Sequence, residues 1–259
     1  MFPLTHVFMA QMIFPLADNK VILGSIFPDT NIGYDLSYDH THRQGADLYK
    51  YIQAHDKDFL PFVHGVITHG VEPAGLDYYG DEKYLSFERG YCFEKARPII
   101  VKTLKACNLS SRFGWWKAHN FIEMGIELAI SKKYPEVQER LREVYEDEEL
   151  IAYTAKILSN FFYANPREII GGILHFQKYV FDEPVNVHNL AASYNEQMVR
   201  RHSVKVDIKA VEALIEESEM IVKSDYLRFL SYVRRKILRT LNELIVGKEE
   251  YSYYAVSPK

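Results

Sequence analysis

Helical periodicity runs along almost the whole chain and limits the folds that it can adopt. Apolar residues recur at three- and four-residue spacing, and no convincing run alternates apolar and polar residues as a half-buried strand would. The pattern predicts helices over residues 5–13, 41–53, 59–72, 87–107, 113–133, 136–162, 166–180, 186–200, 207–222 and 225–245. We therefore expect an all-α fold, a compact multi-helix bundle.

One segment, ILGSIFPDTNIGYDLSYDH at residues 22–40, interrupts this pattern. Its Gly, Pro, Asp and Asn residues favour turns, so the sequence predicts a long loop there. Long loops inside a helical domain are often functional. We expect a single domain over residues 1–259, with the motifs described below in 1–130, a helical remainder over 134–245 and a patternless tail at 246–259.

The composition excludes several classes of protein. Hydrophobic residues make up 47% of the chain, which rules out a disordered or low-complexity protein. The formal net charge of −4 gives no basic surplus for nucleic acid or an anionic membrane. The sequence contains no Gly-rich phosphate loop and no apolar run of membrane-spanning length, and Cys92 and Cys107 cannot form a disulfide framework. Its first residues lack a basic region, so we expect no secretory signal. We expect a cytoplasmic chain.

Histidines are concentrated near one end: seven of the ten lie in the first 119 residues. His119 and Glu123 are four residues apart in a helical, apolar stretch, so their side chains share one face. A carboxylate in such surroundings needs a partner, and a metal ion satisfies an imidazole and a carboxylate together. A hydrogen bond between the two side chains is the simpler alternative.

A second cluster lies in FVHGVITHGVEPAGLDYYGDE. On a continuous helix His69 and Glu72 share a face, and His64 lies about two turns before Glu72. His64 is either a core histidine or a reserve ligand. In the following loop, Asp77 or Asp81 either caps the turn or supplies an oxygen ligand.

The predicted loop and the first helix complete the set. Asp29, His40 and His42 lie in or beside the loop, and each has a local alternative as a turn or helix-start residue. His6 lies on the first turn of the first helix. Because facing helices of a bundle often contribute one or two ligands each, we expect these clusters to converge on one metal site.

The order of these motifs resembles that of the zinc-dependent phospholipase C family, whose superfamily includes the single-strand-specific zinc nucleases. The matching stretches, within residues 3–130, are THVFMA (His6), LGSIFPDT (Gly24, Pro28, Asp29), HTHRQG (His42, or alternatively His40), GVITHGVE (His69, Glu72) and HNFIE (His119, Glu123). The resemblance implies an all-α hydrolase of phosphate esters with two or three zinc ions, manganese or iron being the other possible metals. The implied substrate is a small phosphate ester or a phospholipid headgroup.

The resemblance also implies a role for each matched residue. One zinc would be held by Asp29, His42, His69 and Glu72, a second by His119 and Glu123, and a third by His6. Asp29 would also orient or deprotonate the attacking water. The chain departs from the family where His-x-x-x-Asp would require Asp at position 73, which is Pro73, and where a loop histidine is missing, Asp77 being the nearest substitute.

Two other functions are compatible with the sequence. The adjacent pair His55-Asp56, preceded by His42, suggests an HD-type metal phosphohydrolase. The departures from the family pattern suggest a non-catalytic helical protein that keeps a structural or relic metal site. An open metal position separates the catalytic alternatives from the structural one.

Overall fold

The computed structural model describes residues 2–32, 34–177 and 184–246. Within them the chain is helical and contains no strand, as the periodicity predicts. The α-helices are α1 (Pro3–Ile13), α2 (Asn19–Thr30), α3 (Tyr38–Arg43), α4 (Gly45–His55), α5 (Leu60–His69), α6 (Tyr91–Ala96), α7 (Ile100–Ala106), α8 (Gly114–Lys133), α9 (Glu136–Glu146), α10 (Glu148–Phe162), α11 (Pro166–Phe176), α12 (Val187–His202), α13 (Ile208–Val222) and α14 (Tyr226–Val246). A π-helical turn, Tyr78–Glu82, lies between α5 and α6.

The loop prediction is wrong for the first part of residues 22–40, because α2 occupies this segment as far as Thr30. Asp18 caps the helix by accepting a hydrogen bond from the Val21 backbone N–H at 3.0 Å. Pro28 lies in the last turn, where its missing N–H removes one bond near the helix end. The loop prediction is also wrong for residues 38–40, which begin α3; residues 31–37 are non-helical where they are described.

Helices α2 and α5 cross at two glycines. A Cβ atom on Gly24 would overlap the carbonyl oxygen of Phe62, and one on Gly65 would overlap that of Val21. Gly24 therefore permits a close backbone approach instead of breaking the helix. This crossing brings the last turns of α2 and α5 together, and the site described below lies there.

Helix α8 is largely buried and packs against α1, α6, α7 and α13. At Gly125 the backbone of Ser218 on α13 comes so close that a Cβ atom would overlap it. Glu127 of α8 accepts hydrogen bonds from the backbone N–H groups of Leu4 and Thr5, at 2.8 and 2.9 Å, and from the Thr5 hydroxyl at 2.7 Å. These contacts fix the start of α1 against α8.

Other helix boundaries differ from the predicted ones. Helix α5 ends at His69, so the predicted helix 59–72 is three residues too long. The predicted helix 87–107 is broken by a 3₁₀ turn at Arg97–Ile99, and 136–162 is divided at Asp147, which caps α10. Residues 178–180 of the helix predicted over 166–180, and residues 247–259 of the predicted tail, lie outside the described residues.

Helices from both halves of the chain contribute to one hydrophobic core, which extends from Leu4 on α1 to Leu241 on α14. The predicted metal motifs and the helical remainder are therefore packed together. Among the helices described, none combines the length and the apolar character that a bilayer crossing requires.

Candidate metal centre

Four side chains from four segments converge beside the α2–α5 crossing. Asp29 comes from α2, His42 from α3, His69 from α5, and Asp77 from the residue before the π-helical turn; we call them the first ligand group. One ligand atom of each lies within 4.8 Å of those of the others. The group offers two imidazole nitrogen donors and two carboxylate donors, and each imidazole lies close to both carboxylates.

The distances within the first ligand group are those of atoms around a common centre. His42 Nε2 lies 3.6 Å from Asp29 Oδ1 and 3.5 Å from Asp77 Oδ2. His69 Nε2 lies 3.8 Å from Asp29 Oδ2 and 3.3 Å from Asp77 Oδ2. Ligand atoms ~2.1 Å from a tetrahedral zinc ion lie ~3.4 Å from one another, so the spacing fits such an ion.

His6 faces the same two carboxylates. Its Nε2 lies 3.4 Å from Asp77 Oδ1 and 4.0 Å from Asp29 Oδ2. Its ring stacks on that of His69, with centroids 3.5 Å apart and planes 3° from parallel. The structure therefore brings His6 to the edge of the first ligand group, where it can serve as a further ligand.

The second ligand group consists of Asp81, on the π-helical turn, and of His119 and Glu123 on α8. His119 Nε2 and Glu123 Oε1 are 3.9 Å apart, so they share a face without a direct hydrogen bond between these atoms. The Asn120 amide contacts both side chains, at 3.1 Å from His119 Nε2 and 3.3 Å from Glu123 Oε2. Phe93 stacks on the His119 ring at 4.2 Å.

Burial and neighbouring charges shift the pKa values of the imidazoles. Burial lowers the pKa of His6 well below its ordinary value and that of His119 to about 3, so both rings are neutral at neutral pH. Burial also acts to lower the pKa of His42, but the carboxylates of Asp29 and Asp77 outweigh it and raise the pKa. An imidazole that gains a proton between two carboxylates marks a position where positive charge is favoured.

The pKa values of the buried carboxylates also indicate that a positive charge is favoured at the site. Burial acts to raise the pKa of Asp29, but His69 and His42 outweigh it, and the pKa falls below its ordinary range. In the second ligand group, burial and the charge of Glu123 raise the pKa of Asp81 well above its ordinary value. Burial, together with Asp77, raises the pKa of Glu123. A cation bound among these groups would relieve the repulsion.

Unpartnered buried nitrogen atoms provide the clearest test of whether the residues fit a metal. Among the described residues, both ring nitrogens of His6 and the Nε2 atoms of His42 and His69 are buried without a hydrogen-bond partner. Buried polar atoms of this kind are rare without a ligand. Neutral imidazole with carboxylate is an ordinary ligand set for zinc, manganese and iron, so the residues present fit such ions.

Both ligand groups line one cavity of about 490 Å³. Asp29, His42 and Asp77 of the first group, and all three members of the second, face it. The side chain of Asp29 is 26% exposed, whereas that of Asp77 is 6% exposed, so Asp29 is the more accessible carboxylate of the first group. A ligand in this cavity would contact both groups.

The prediction that Glu72 and His64 are metal ligands is wrong, because both lie outside the two ligand groups. Glu72 follows the end of α5, so it does not share a helical face with His69; it is largely exposed and forms an ion pair with Arg43 at 2.5 Å. His64 lies between the rings of Phe14 and Tyr49, 5.8 and 6.0 Å away, and burial lowers its pKa to about 4. Neither residue belongs to a ligand group.

The alternative histidines have local roles. His40 accepts a hydrogen bond from the Ser37 backbone N–H at 3.2 Å, and Ser37 in return caps α3, so the structure favours His42 over His40 at the site. His55 is exposed and its Nδ1 lies 2.8 Å from the Tyr51 carbonyl oxygen. Asp56 contacts the hydroxyl of Tyr153.

Asp77 and Asp81 were predicted as alternative oxygen ligands, and the structure places one of them in each ligand group. The four-residue spacing of the two aspartates, at one helical turn, was the available signal. The support of the imidazoles was missed: His42 Nδ1 contacts the Thr41 hydroxyl at 2.8 Å, and His69 Nδ1 contacts a carbonyl oxygen of α2. The partner of His69 is a backbone carbonyl of another helix, and a partner of that kind leaves no mark in a sequence.

Comparison with known proteins gave no matching family model, no matching curated protein and no matching solved structure.

Proposed function

We propose that this chain is a metal-dependent hydrolase of phosphate esters. The observation that carries the proposal is the placement of two separate groups of imidazole and carboxylate donors on the wall of one cavity. Asp77 and Asp81 connect the groups, because they lie at and within the same π-helical turn. Two adjacent metal sites that open to one cavity are typical of enzymes that cleave phosphate esters.

The residues that would hold the ions follow from the geometry. The first ligand group, with His6 beside it, would hold one ion, and the second ligand group would hold another. We expect zinc, and manganese or iron would also fit these donors. Ions bound there would supply positive charge for the phosphoryl oxygens and would lower the pKa of a coordinated water.

Asp29 is the residue that we expect to position the attacking water and accept its proton. Its carboxylate is ionised because its pKa is lowered, and it is the more exposed of the two carboxylates of the first ligand group. A carboxylate that is both ionised and accessible from the cavity can act as a general base. The substrate would be a small phosphate ester, of which a phospholipid headgroup, as in the phospholipase C family, is one kind.

The test uses chain purified without a histidine tag. The metal bound per chain is measured first. Hydrolysis of bis(p-nitrophenyl) phosphate is then followed before treatment with a chelator, after it, and after zinc or manganese is added back. We expect turnover that the chelator abolishes and the metal restores. His119→Ala should lower kcat/KM by more than about 100-fold, since loss of a ligand exceeds the effect of losing its supporting residues.

His55→Ala is the matched control, because this histidine is exposed and does not line the cavity. It should retain full turnover. Loss of turnover in His55→Ala with retention in His119→Ala would support the HD-type alternative instead. Bound metal without any turnover would identify a structural metal site and contradict the proposal.

A further inference from the structure

Four basic side chains also line this cavity. Lys117 on the first turn of α8, Arg200 and Arg201 at the end of α12, and Arg89 before α6 all line the cavity that the two ligand groups face. The carboxylates come from α2, from the segment 77–82 and from a later turn of α8. The cavity therefore holds basic as well as acidic side chains, although the chain as a whole is acidic.

Lys117 is the most informative of these cations. It is only 5% exposed, and among the described residues it forms neither an ion pair nor a hydrogen bond; its ammonium group lies over the Trp116 ring, 4.1 Å from the centroid. The positive charge of Arg201 repels the ammonium group of Lys117. The carboxylate of Glu123, a member of the second ligand group, attracts it. Burying an ammonium group without a counter-ion is unfavourable unless an anion binds beside it.

Helix α12 presents polar groups to the cavity at helical spacing. Ser193, Gln197 and the pair Arg200 and Arg201 follow one another at three- to four-residue intervals, and all of them line the cavity. Arg200 donates a hydrogen bond to His175 Nε2 at 2.7 Å, so a neutral imidazole, rather than a carboxylate, orients it. These guanidinium groups therefore remain available to an anion, for which the planar fork of arginine is well suited.

Arg89 places positive charge beside the second ligand group. Its guanidinium lies over the Phe93 ring at 4.5 Å, and Phe93 stacks in turn on His119. The Nε atom of Arg89 is buried and has no hydrogen-bond partner among the described residues. Lys117 and Arg89 thus each bring an unpartnered cationic group to the cavity, from two different segments.

We propose that the substrate of this cavity is a phosphate ester that carries a second anionic group, and that Lys117 with Arg201 binds this second group. The proposal rests on the proposed function, since it assumes that the ester to be cleaved faces the two ligand groups. It names a substrate class: esters with an additional phosphate or comparable anion, in preference to esters whose other end is neutral or cationic. A cationic headgroup would be repelled by Lys117 and Arg201.

The test compares two chromogenic esters that differ only in the second anion: the p-nitrophenyl ester of thymidine 5′-monophosphate, with and without a 3′-phosphate. In the wild-type chain we expect kcat/KM to be at least tenfold higher for the 3′-phosphorylated ester, mainly through KM. Lys117→Met should reduce this ratio to near unity, and Lys117→Arg should restore part of it. Lys132→Met is the control, because Lys132 lies on α8 outside the cavity and pairs with Glu219.

A binding measurement separates this inference from the proposed function. Calorimetry with inorganic pyrophosphate on the chain as purified should show binding that Lys117→Met weakens at least tenfold and Lys132→Met leaves unchanged. Turnover of both esters at equal kcat/KM, or a ratio that Lys117→Met does not change, would overturn the inference while the proposed function stands. If neither ester is hydrolysed, the proposed function fails, and Lys117-dependent pyrophosphate binding would still support the anion site.

Discussion

The imidazole of His69 is held by the backbone of Ser25, whose carbonyl oxygen lies 2.7 Å from His69 Nδ1. Because a carbonyl oxygen only accepts hydrogen bonds, Nδ1 is the donor, and Nε2 is the ring nitrogen that faces the aspartates of the first ligand group. Ser25 lies one helical turn before Asp29 on α2. The helix that supplies Asp29 therefore also orients His69.

His69→Ala should remove the metal ion of the first ligand group. The substitution deletes the Nε2 donor, and we expect the metal content to fall by about one ion per chain. Measurement of metal per chain after dialysis tests this. Glu72→Gln is the control, since Glu72 is exposed and paired with Arg43; it should leave the metal content unchanged. A metal content that falls in Glu72→Gln instead would show that Glu72 is a ligand.

Gly65→Ala should disrupt the α2–α5 crossing. The added Cβ would overlap the carbonyl oxygen of Val21, and backbone on both helices would have to move, so we expect a loss of about 3 kcal/mol in the free energy of unfolding. Chemical denaturation measures this loss. Gly171→Ala on α11 is the matched control, since its Cβ would meet only the Tyr34 ring, at 3.8 Å, and should not destabilise the chain. Equal effects of the two substitutions would contradict the crossing.

Glu127→Gln should release the start of α1 and, with it, His6. A carboxamide has one accepting oxygen, so it cannot receive the hydrogen bonds of Leu4, Thr5 and the Thr5 hydroxyl on two oxygens. We expect a loss of about 2 kcal/mol in the free energy of unfolding and faster amide exchange at the first turn of α1. Glu139→Gln, on an exposed face of α9, should change the free energy by less than about 0.5 kcal/mol.

The parts of the site that the sequence predicts best depend on spacing within one helix. His119 and Glu123 lie four residues apart on α8, and helical geometry alone places them on one face. The prediction for Glu72 depended on where α5 ends, and the chain leaves the helix at His69, so the expected pairing is lost. Helix ends depend on tertiary packing and are hard to locate from a single sequence.

Features that depend on contacts between distant segments were missed. Gly24 and Pro28 indicate a turn when taken alone, but Gly24 serves the close approach to Phe62, which no local pattern shows. The basic residues of the cavity were missed for a related reason: the net charge of −4 averages over the whole chain, and Lys117 of α8 and Arg201 of α12 line one cavity only in the folded chain. Composition does not show which charges share a cavity.

His64 should make the chain sensitive to acid independently of the metal centre. Burial lowers its pKa to about 4, compared with about 6.5 in an unfolded chain, so between these values the unfolded chain binds the extra proton. Stability is therefore lost as the pH falls from 6.5 to 4, by up to about 3 kcal/mol from this group. The free energy of unfolding of His64→Leu, measured against wild type from pH 7 to pH 4, should shift in favour of the variant by that amount. A difference that does not vary with pH would mean that His64 takes up its proton in the folded chain as readily as in the unfolded one.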